Sequence, residues 1–273
     1  MAATTIGIDI GGTKALILSG EREEKSPTGP EFSPAELEER LRRFIAGFAL
    51  HPSAIGIASP GLIDLEGRIT VCDVLPRFAG WNPRVSLADL GAHIVVANDV
   101  KAALAEEMHD AAPGETVGVV MAGTAVGAAF IAEGRPLLGV SGWAGELGHV
   151  PIAMGASVRR LDQLAGGSFI AKGLGVSGAE LARIAGEGDP TALEAIRQGG
   201  FALGLGLATA INLLNPSRLS VGGGALSLPG YWEAAIDSAS RHAIKEMFDE
   251  CRLARVRAGA RVAALGAIRL AGA

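Results

Sequence analysis

The sequence predicts an α/β protein divided into two domains. Two short apolar runs flank a glycine turn over residues 6–18, and the same order of strand, Gly-Thr turn and strand recurs over residues 116–132. Apolar residues recur at helical spacing over residues 34–49, which favours an amphipathic helix after the first hairpin. A chain of 273 residues is long enough for two domains. We place their boundary at Ala111-Ala112-Pro113-Gly114, which breaks the chain between the two halves.

The composition gives no sign of a nucleic-acid-binding or membrane protein. Apolar residues make up 49% of the chain and the formal net charge is −5, which gives no general attraction to nucleic acid or to anionic lipid. The longest uncharged run, residues 198–217, has an apolar part that is too short to span a membrane. No signal peptide is expected. Cys72 and Cys251 lie far apart, and as buried small residues they suit a reducing, cytoplasmic compartment.

The first glycine turn has the residue types of a phosphate-binding loop. Asp9 ends the first apolar run, and Gly11, Gly12, Thr13 and Lys14 follow it. Glycines allow a tight bend that approaches a ligand closely, and the N–H groups of such a turn can bind an anion. The aspartate could hold a hydrated Mg²⁺ beside the phosphates. An ordinary β-hairpin explains this turn equally well, so the decision rests on the remainder of the chain.

Polar residues end two further predicted strands of the first half. The apolar run at residues 54–58 ends in Ser59-Pro60-Gly61, and the run at residues 93–97 ends in Asn98-Asp99 before a predicted helix. Open α/β sheets bind ligands where strands give way to helices. A helix N-cap explains one residue of the pair Asn98-Asp99 but does not need both.

The second half carries its own candidate residues. The Gly123-Thr124 turn is followed by a glycine-punctuated loop over residues 134–149, which contains Glu146 and His149. These two residues could share a metal ion, but no further ligand is evident beside them. Three consecutive glycines, 222–224, follow a short predicted strand and imply the close approach of a ligand or of another backbone.

The remaining elements have weaker signals. We expect a loop over residues 21–33, an irregular segment over residues 153–160, and a basic surface stretch at Arg252, Arg255, Arg257 and Arg261. Helices are predicted over residues 100–110, 178–185, 191–213, 231–247 and 260–270.

These pieces, in this order, resemble the ROK family of bacterial sugar kinases, within the actin/hexokinase/Hsp70-like fold. The similarity covers nearly the whole chain, and the ordered set is far more specific than any single motif. The motifs are D-I-G-G-T-K at Asp9, S-P-G-L-I-D at Ser59, N-D at Asn98, G-T-A-V-G at Gly123, A-G-E-L-G-H at Ala144, L-N-P at Leu214, G-G-G at Gly222 and the terminal L-G-A-I-R-L-A.

The resemblance implies a fold and a set of ligands. The fold is two ribonuclease-H-like (actin/hexokinase-type) α/β domains with a cleft between them. Residues 1–113, with a terminal helix 260–273 packed back on them, would form the smaller domain, and residues 114–259 the larger one. The implied ligands are ATP, Mg²⁺ and a small-molecule sugar, without nucleic acid or membrane, and the implied assembly is a homodimer.

The resemblance also assigns roles to individual residues. Nucleotide binding falls on Asp9, Gly11, Gly12, Thr13, Lys14, Gly123, Thr124, Gly223 and Gly224. Sugar binding falls on Ser59, Gly61, Asn98, Asp99, Glu146, His149 and Asp162. Asp99 is in addition the implied catalytic base, and Asp9 is the implied Mg²⁺ ligand, through water.

Three departures from the family pattern change these expectations. Most members carry a C-x-C-G-x-x-G-C zinc motif after the Gly-His pair, but residues 155–160 contain no cysteine. We therefore expect no zinc site, which leaves His149 only a sugar contact. Asp162 stands where a glutamate is usual, and its shorter side chain displaces a hydrogen bond by about 1 Å. The acceptor therefore differs from plain glucose, or the loop lies closer. Ala125, Ala128 and Ala129 replace common glycines of the second phosphate loop.

We expect an ATP-dependent kinase that phosphorylates a primary hydroxyl of glucose or of a related hexose or amino-hexose. A carboxylate can take the hydroxyl proton, while Mg²⁺ and donors neutralise the phosphate charge. Polyphosphate as donor, a non-catalytic sugar-sensing member, and a kinase for N-acetylmannosamine, N-acetylglucosamine or another analogue stay open as alternatives. A transcriptional regulator of the family is disfavoured, because only eight residues precede Asp9 where such members carry a helix-turn-helix domain.

Overall fold

The structure is a computed structural model that describes residues 4–154 and 157–272. The strands are β1 Thr4–Ile10, β2 Lys14–Ser19, β3 Arg22–Pro27, β4 Pro52–Ser59, β5 Leu62–Ile63, β6 Ile69–Val71, β7 His93–Asn98, β8 Val117–Ala122, β9 Val126–Ala132, β10 Arg135–Pro136, β11 Pro151–Met154, β12 Ser157–Arg160, β13 Arg218–Gly222 and β14 Arg252–Arg255. The α-helices are α1 Pro34–Gly47, α2 Pro83–Ser86, α3 Asp99–Glu107, α4 Leu161–Ala165, α5 Gly167–Gly173, α6 Gly178–Gly186, α7 Pro190–Leu214, α8 Tyr231–His242, α9 Lys245–Glu250 and α10 Val262–Ala271.

The chain forms two compact units. The first contains the described residues of Met1–His109, Leu138–Ala144 and Arg257–Ala273, and the second contains those of Asp110–Leu137 and Gly145–Val256. The domain limits expected from the sequence, residues 1–113 and 114–259, stay a proposal. Among the described residues, no helix combines the length and the apolar character that a membrane crossing requires.

The first unit is built on a five-stranded sheet with the order β3-β2-β1-β4-β7. β1 runs antiparallel to β2 and parallel to β4, and β7 is parallel to β4. Helix α1 buries Leu37, Leu41 and Phe44 in the same hydrophobic cluster as the central strands. Its start follows from the sequence, because Ser33 and Glu36 form a reciprocal capping box before Pro34.

The C-terminal helix α10 belongs to the first unit and lies against its sheet at unusually short range. A Cβ atom built on Gly7 of β1 or on Gly56 of β4 would overlap the backbone of α10, at Ala264 and Ala267 respectively. On another side of α10, a Cβ on Gly266 would overlap the carbonyl of Ala102 in α3. Glycine is required at these positions because two backbones meet there.

The second unit repeats the architecture of the first. Its sheet has the order β10-β9-β8-β13-β14, with two antiparallel pairings followed by two parallel ones, as in the first sheet. Glycines of α7 admit α8 at close range, since a Cβ on Gly200 would overlap the carbonyl of Tyr231. The buried Tyr231 hydroxyl donates a hydrogen bond to the Ala165 carbonyl at 2.6 Å.

Four predictions about secondary structure were wrong or incomplete. Residues 22–27 form strand β3 instead of a loop, and Arg252–Arg255, expected only as a basic surface stretch, form strand β14. Both are outermost strands of their sheets, so their charged side chains reach solvent while the backbone pairs with a neighbour. The segment 153–160, expected to be irregular, contains strand β12, which pairs antiparallel to β11. Gly155 begins the segment for which we expect no zinc site, and this residue lies outside the described residues.

The helix expected over residues 231–247 is two helices, because its backbone breaks at Ala243. Asn212 of α7 stabilises the break from both sides. Its side-chain oxygen accepts a hydrogen bond from Ile244 N at 2.8 Å, and its amide donates to the His242 carbonyl at 3.2 Å. Both cysteines are buried and unpaired, as expected, and burial raises the pKa of Cys251 to about 11.

Candidate functional site

The glycine turn between β1 and β2 is tight and is held in place from the following segment. Gly11 N donates to the Lys14 carbonyl at 2.9 Å, and a Cβ atom on Gly11 would lie 2.9 Å from the same oxygen. The Thr28 hydroxyl donates to the Gly11 carbonyl at 2.6 Å, and Thr28 N donates to the Thr13 carbonyl at 3.1 Å. The side chains of Thr13 and Lys14 are exposed and are therefore accessible to a ligand.

Asp9 lies near the end of the central strand β1, paired with Leu16 on one side and Ala58 on the other. Burial, together with repulsion from Asp99, raises the pKa of the Asp9 carboxyl to about 7, although Lys14 acts in the opposite direction. Two carboxylates that repel each other beside an exposed hydroxyl-bearing turn are a donor set that suits a hard divalent cation. The residues present therefore fit Mg²⁺.

The structure brings Ser59, Gly61, Asn98 and Asp99 together at the ends of two parallel strands. Ser59 of β4 is paired with Asn98 of β7, and Ser59 is completely buried. The Asn98 amide donates to the Gly61 carbonyl at 3.1 Å, while its oxygen accepts from Val100 N at 3.0 Å as the N-cap of α3. The N-cap interpretation thus holds for Asn98, and Asp99 occupies the first position of the helix.

The Gly123-Thr124 turn of the second unit is also held by a distant segment. Gly167 N donates to the Gly123 carbonyl at 2.7 Å, and the Ser168 hydroxyl donates to the Thr124 carbonyl at 2.6 Å. This role of Ser168 was not predicted from the sequence. The run Gly166-Gly167-Ser168 was the available signal, but it indicated only the start of a new segment.

Gly223 lies close to the end of the strand that leads into the Gly123-Thr124 turn. It has φ +102°, and a Cβ atom there would overlap the backbone of Ala122, the last residue of β8. Gly224 has no neighbour within 4 Å of such an atom. The structure therefore brings the predicted residues Gly123, Thr124 and Gly223 to one end of the second sheet.

Glu146 precedes a short 3₁₀ helix of the second unit, Leu147–His149, and His149 ends it. The Glu146 carboxylate lies 3.5 Å from Nδ1 of His149, and both side chains are about half exposed. Gly148, between them, packs against α4, since a Cβ on Gly148 would lie 3.2 Å from Cβ of Asp162. The loop that carries Glu146 and His149 is thus adjacent to Asp162.

Asp162 is buried at the start of α4, with 5% of its surface exposed. Its Oδ1 lies 3.3 Å from Nε of Arg160 but accepts no hydrogen bond from the described residues. Within the part of the chain that the structure describes, there is no group of three or more His, Cys, Asp or Glu side chains that could hold a metal ion. Glu146 and His149 therefore remain a pair without a third ligand of those types there.

Comparison with known proteins defines the class of this chain. It matches the ROK family over residues 5–273 and therefore belongs to that family. It is 28% identical to the kanosamine kinase of Amycolatopsis mediterranei, over 80% of each chain.

Solved structures agree with this family assignment. The ROK hexokinase from Thermus thermophilus is similar with a TM-score of 0.77 and 29% identity, over 98% of each chain. A ROK family glucokinase from Streptomyces griseus, solved in complex with glucose and AMPPNP, has a TM-score of 0.81 and 24% identity over 99% of each chain. The predicted family and the predicted actin/hexokinase-type fold of two α/β domains are confirmed.

Proposed function

We propose that the chain is an ATP-dependent sugar kinase that transfers the γ-phosphate to a primary hydroxyl of a hexose or amino-hexose. The observation that carries this proposal is the junction of β7 and α3. There the Asp99 carboxylate begins a helix beside Asn98 and Gly61, and it is close enough to Asp9 to raise the pKa of that group. Its kinase relatives, among them a kanosamine kinase, support the same reaction class.

In this proposal Asp99 is the general base. A sugar hydroxyl is a weak nucleophile, so a carboxylate that accepts its proton assists attack on the phosphorus. We assign nucleotide contacts to the turn at Gly11–Lys14 in the first unit and to Gly123, Thr124, Gly223 and Gly224 in the second, since glycine turns offer backbone N–H groups and Lys14 offers an ammonium to phosphate oxygens. Asp9 would hold Mg²⁺ through water, and the ion would neutralise charge on the phosphate oxygens.

Each unit contributes polar side chains that we assign as contacts of the acceptor sugar. We assign Ser59, Gly61 and Asn98 to it in the first unit, and Glu146, His149 and Asp162 in the second. Carboxylates and an imidazole suit the hydroxyl groups of a sugar, since each can accept a hydrogen bond from them. We further propose a cytoplasmic homodimer with ATP as the phosphate donor, and polyphosphate is the alternative donor that the assay below includes.

The test is an assay of sugar-phosphate formation over a panel of glucose, mannose, glucosamine, kanosamine, N-acetylglucosamine and N-acetylmannosamine, each with ATP·Mg²⁺ or with polyphosphate·Mg²⁺. At least one sugar should be turned over. Absence of turnover with every pair refutes the kinase proposal. If titration calorimetry nevertheless detects binding of a panel sugar, the non-catalytic sugar-sensing alternative is favoured.

A substitution then tests the role of Asp99. Asp99→Asn should lower kcat by about 10²-fold to 10⁴-fold while the sugar dissociation constant measured by calorimetry changes little. Asp89→Asn is the matched control, because Asp89 is an exposed aspartate of the same unit that pairs with Arg42. An Asp99→Asn enzyme with wild-type kcat would remove Asp99 from the mechanism.

A further inference from the structure

We propose that Arg160 is a positioning residue that fixes the Asp162 carboxylate for hydrogen bonding to the acceptor sugar. The proposal rests on the proposed function in so far as that function makes Asp162 a sugar contact. The observation behind it is a buried carboxylate that has a cation beside it but an unused acceptor oxygen.

The environment of Asp162 is unusual for a structural carboxylate. A buried carboxylate is costly unless it is paired and hydrogen-bonded. Arg160 supplies the charge, with its Nε 3.3 Å from Oδ1 of Asp162. No described residue donates a hydrogen bond to that oxygen. The pair is therefore compensated in charge but not saturated in hydrogen bonds. Because Oδ1 itself has almost no accessible surface, a hydroxyl or amino group of a ligand bonds this carboxylate only after a small local displacement of the side chains around it.

Hydrogen bonds and strand pairing fix the backbone of Arg160, so its side chain begins from a fixed position. Arg160 ends β12, where it is paired with Pro151 of β11. Its N–H donates to Oε1 of Gln163 at 3.1 Å, and the next residue, Leu161, donates to the Val150 carbonyl at 2.9 Å. The Cα atom of Arg160, from which the guanidinium extends, is therefore fixed directly before α4.

The position of Asp162 places this support next to the proposed sugar contacts of the same unit. The backbone at Gly148 packs against Cβ of Asp162, and Gly148 lies between Glu146 and His149. A rotation of the Asp162 side chain leaves Cβ beside Gly148 but moves the carboxylate away from its present position. Small displacements of a positioning group are expensive, with about 1 Å costing as much as 10²-fold.

The neighbouring Arg159 provides a matched control. It lies on the same strand and is also exposed, but its guanidinium donates to the backbone carbonyl of Gln163 at 2.8 Å. Replacing Arg159 removes an arginine from β12 but leaves the Arg160 guanidinium beside Asp162. A general effect of charge or of hairpin stability should appear in both variants, whereas a positioning effect should appear only at Arg160.

The experiment compares Arg160→Met, Arg160→Lys and Arg159→Met with the wild type, using the panel sugar that has the lowest KM. We expect Arg160→Met to raise the sugar KM by about 10-fold to 100-fold while kcat and the ATP KM stay within about twofold. Arg160→Lys should restore part of the loss, because it keeps the charge but not the fork of donors. Arg159→Met should behave as the wild type.

A double-mutant cycle and a binding measurement separate the possible failures. In an Asp162→Asn background, Arg160→Met should have little further effect, because the carboxylate that Arg160 supports is gone.

An Arg160→Met sugar KM within twofold of wild type, or an equal loss in Arg159→Met, overturns the proposal while the kinase activity stands. If no sugar is turned over, calorimetric titration with the panel sugars applies the same criteria to binding. Sensitivity of that binding to Arg160→Met supports the positioning role without the kinase, and binding of no panel sugar overturns both.

Discussion

Glu107, the last residue of α3, is a buried charged side chain of the first unit whose truncation we expect to lower stability. It is a carboxylate with only 2% of its surface exposed. One of its oxygens, Oε1, accepts hydrogen bonds from the backbone N–H groups of Arg257 at 2.7 Å and Ala258 at 3.2 Å. The Arg257 guanidinium pairs with the same side chain, with Nε 3.5 Å from Oε2. These contacts join the end of α3 to the segment that leads into α10.

The structure gives the size of the effect. Glu107→Ala removes the acceptor of two backbone N–H groups, and each lost partner costs about 1–3 kcal/mol when water cannot replace it. The Arg257 side chain is about half exposed, so water recovers part of this cost. We therefore expect Glu107→Ala to lower the free energy of unfolding by about 2–4 kcal/mol. Glu107→Gln keeps a carbonyl oxygen for both donors and should cost only about 1 kcal/mol.

The measurement is urea-induced unfolding, combined with amide hydrogen exchange of α10 to localise the loss to the first unit. Glu39→Ala in α1 is the control, because the Glu39 side chain is 69% exposed and pairs only loosely with Arg43, at 3.7 Å; such surface pairs contribute about 0–1 kcal/mol. The reasoning is refuted if Glu107→Ala unfolds within 1 kcal/mol of wild type, or if Glu107→Gln loses as much as Glu107→Ala.

Two further predictions concern the same unit. The pKa of Asp9 is raised from 3.8 to about 7, so the folded state binds the carboxyl proton more tightly than the unfolded state. In metal-free buffer the free energy of unfolding should therefore fall by up to about 4 kcal/mol as the pH rises from about 3.8 to about 7. Asp9→Asn should abolish this fall in urea titrations at each pH, and identical pH profiles of the two proteins would contradict the assignment. Gly266→Ala should lower stability by about 1–3 kcal/mol in thermal unfolding, because its Cβ would overlap the Ala102 carbonyl. Gly47→Ala, which meets open space at the end of α1, should be neutral, and equal behaviour of the two alanine variants would show that α10 can shift freely.

Local sequence signals predicted the elements whose causes are local. The start of α1 follows from Ser33, Pro34 and Glu36, which lie within one helical turn of each other. The break after α8 could not be predicted in this way, because the residue that stabilises it, Asn212, lies 30 residues before the carbonyl to which it donates. Strands β3 and β14 were missed for a related reason. Their charged sequences carry no apolar alternation, and only pairing with a neighbouring strand makes them strands.

The same distinction applies to the candidate phosphate loops. The glycines and threonines that predict each turn are contiguous, so the motif reveals where the chain bends. The groups that hold the turns in place are distant: the Thr28 hydroxyl bonds Gly11 from 17 residues away, and the Ser168 hydroxyl bonds Thr124 from 44 residues away. In both units a hydroxyl donor occupies a turn carbonyl, which fixes the orientation of the adjoining peptide planes. A loop that binds an anion through backbone N–H groups depends on that orientation. The motif therefore specifies where the chain can turn, and the long-range hydroxyl contact preorganises the backbone of that turn.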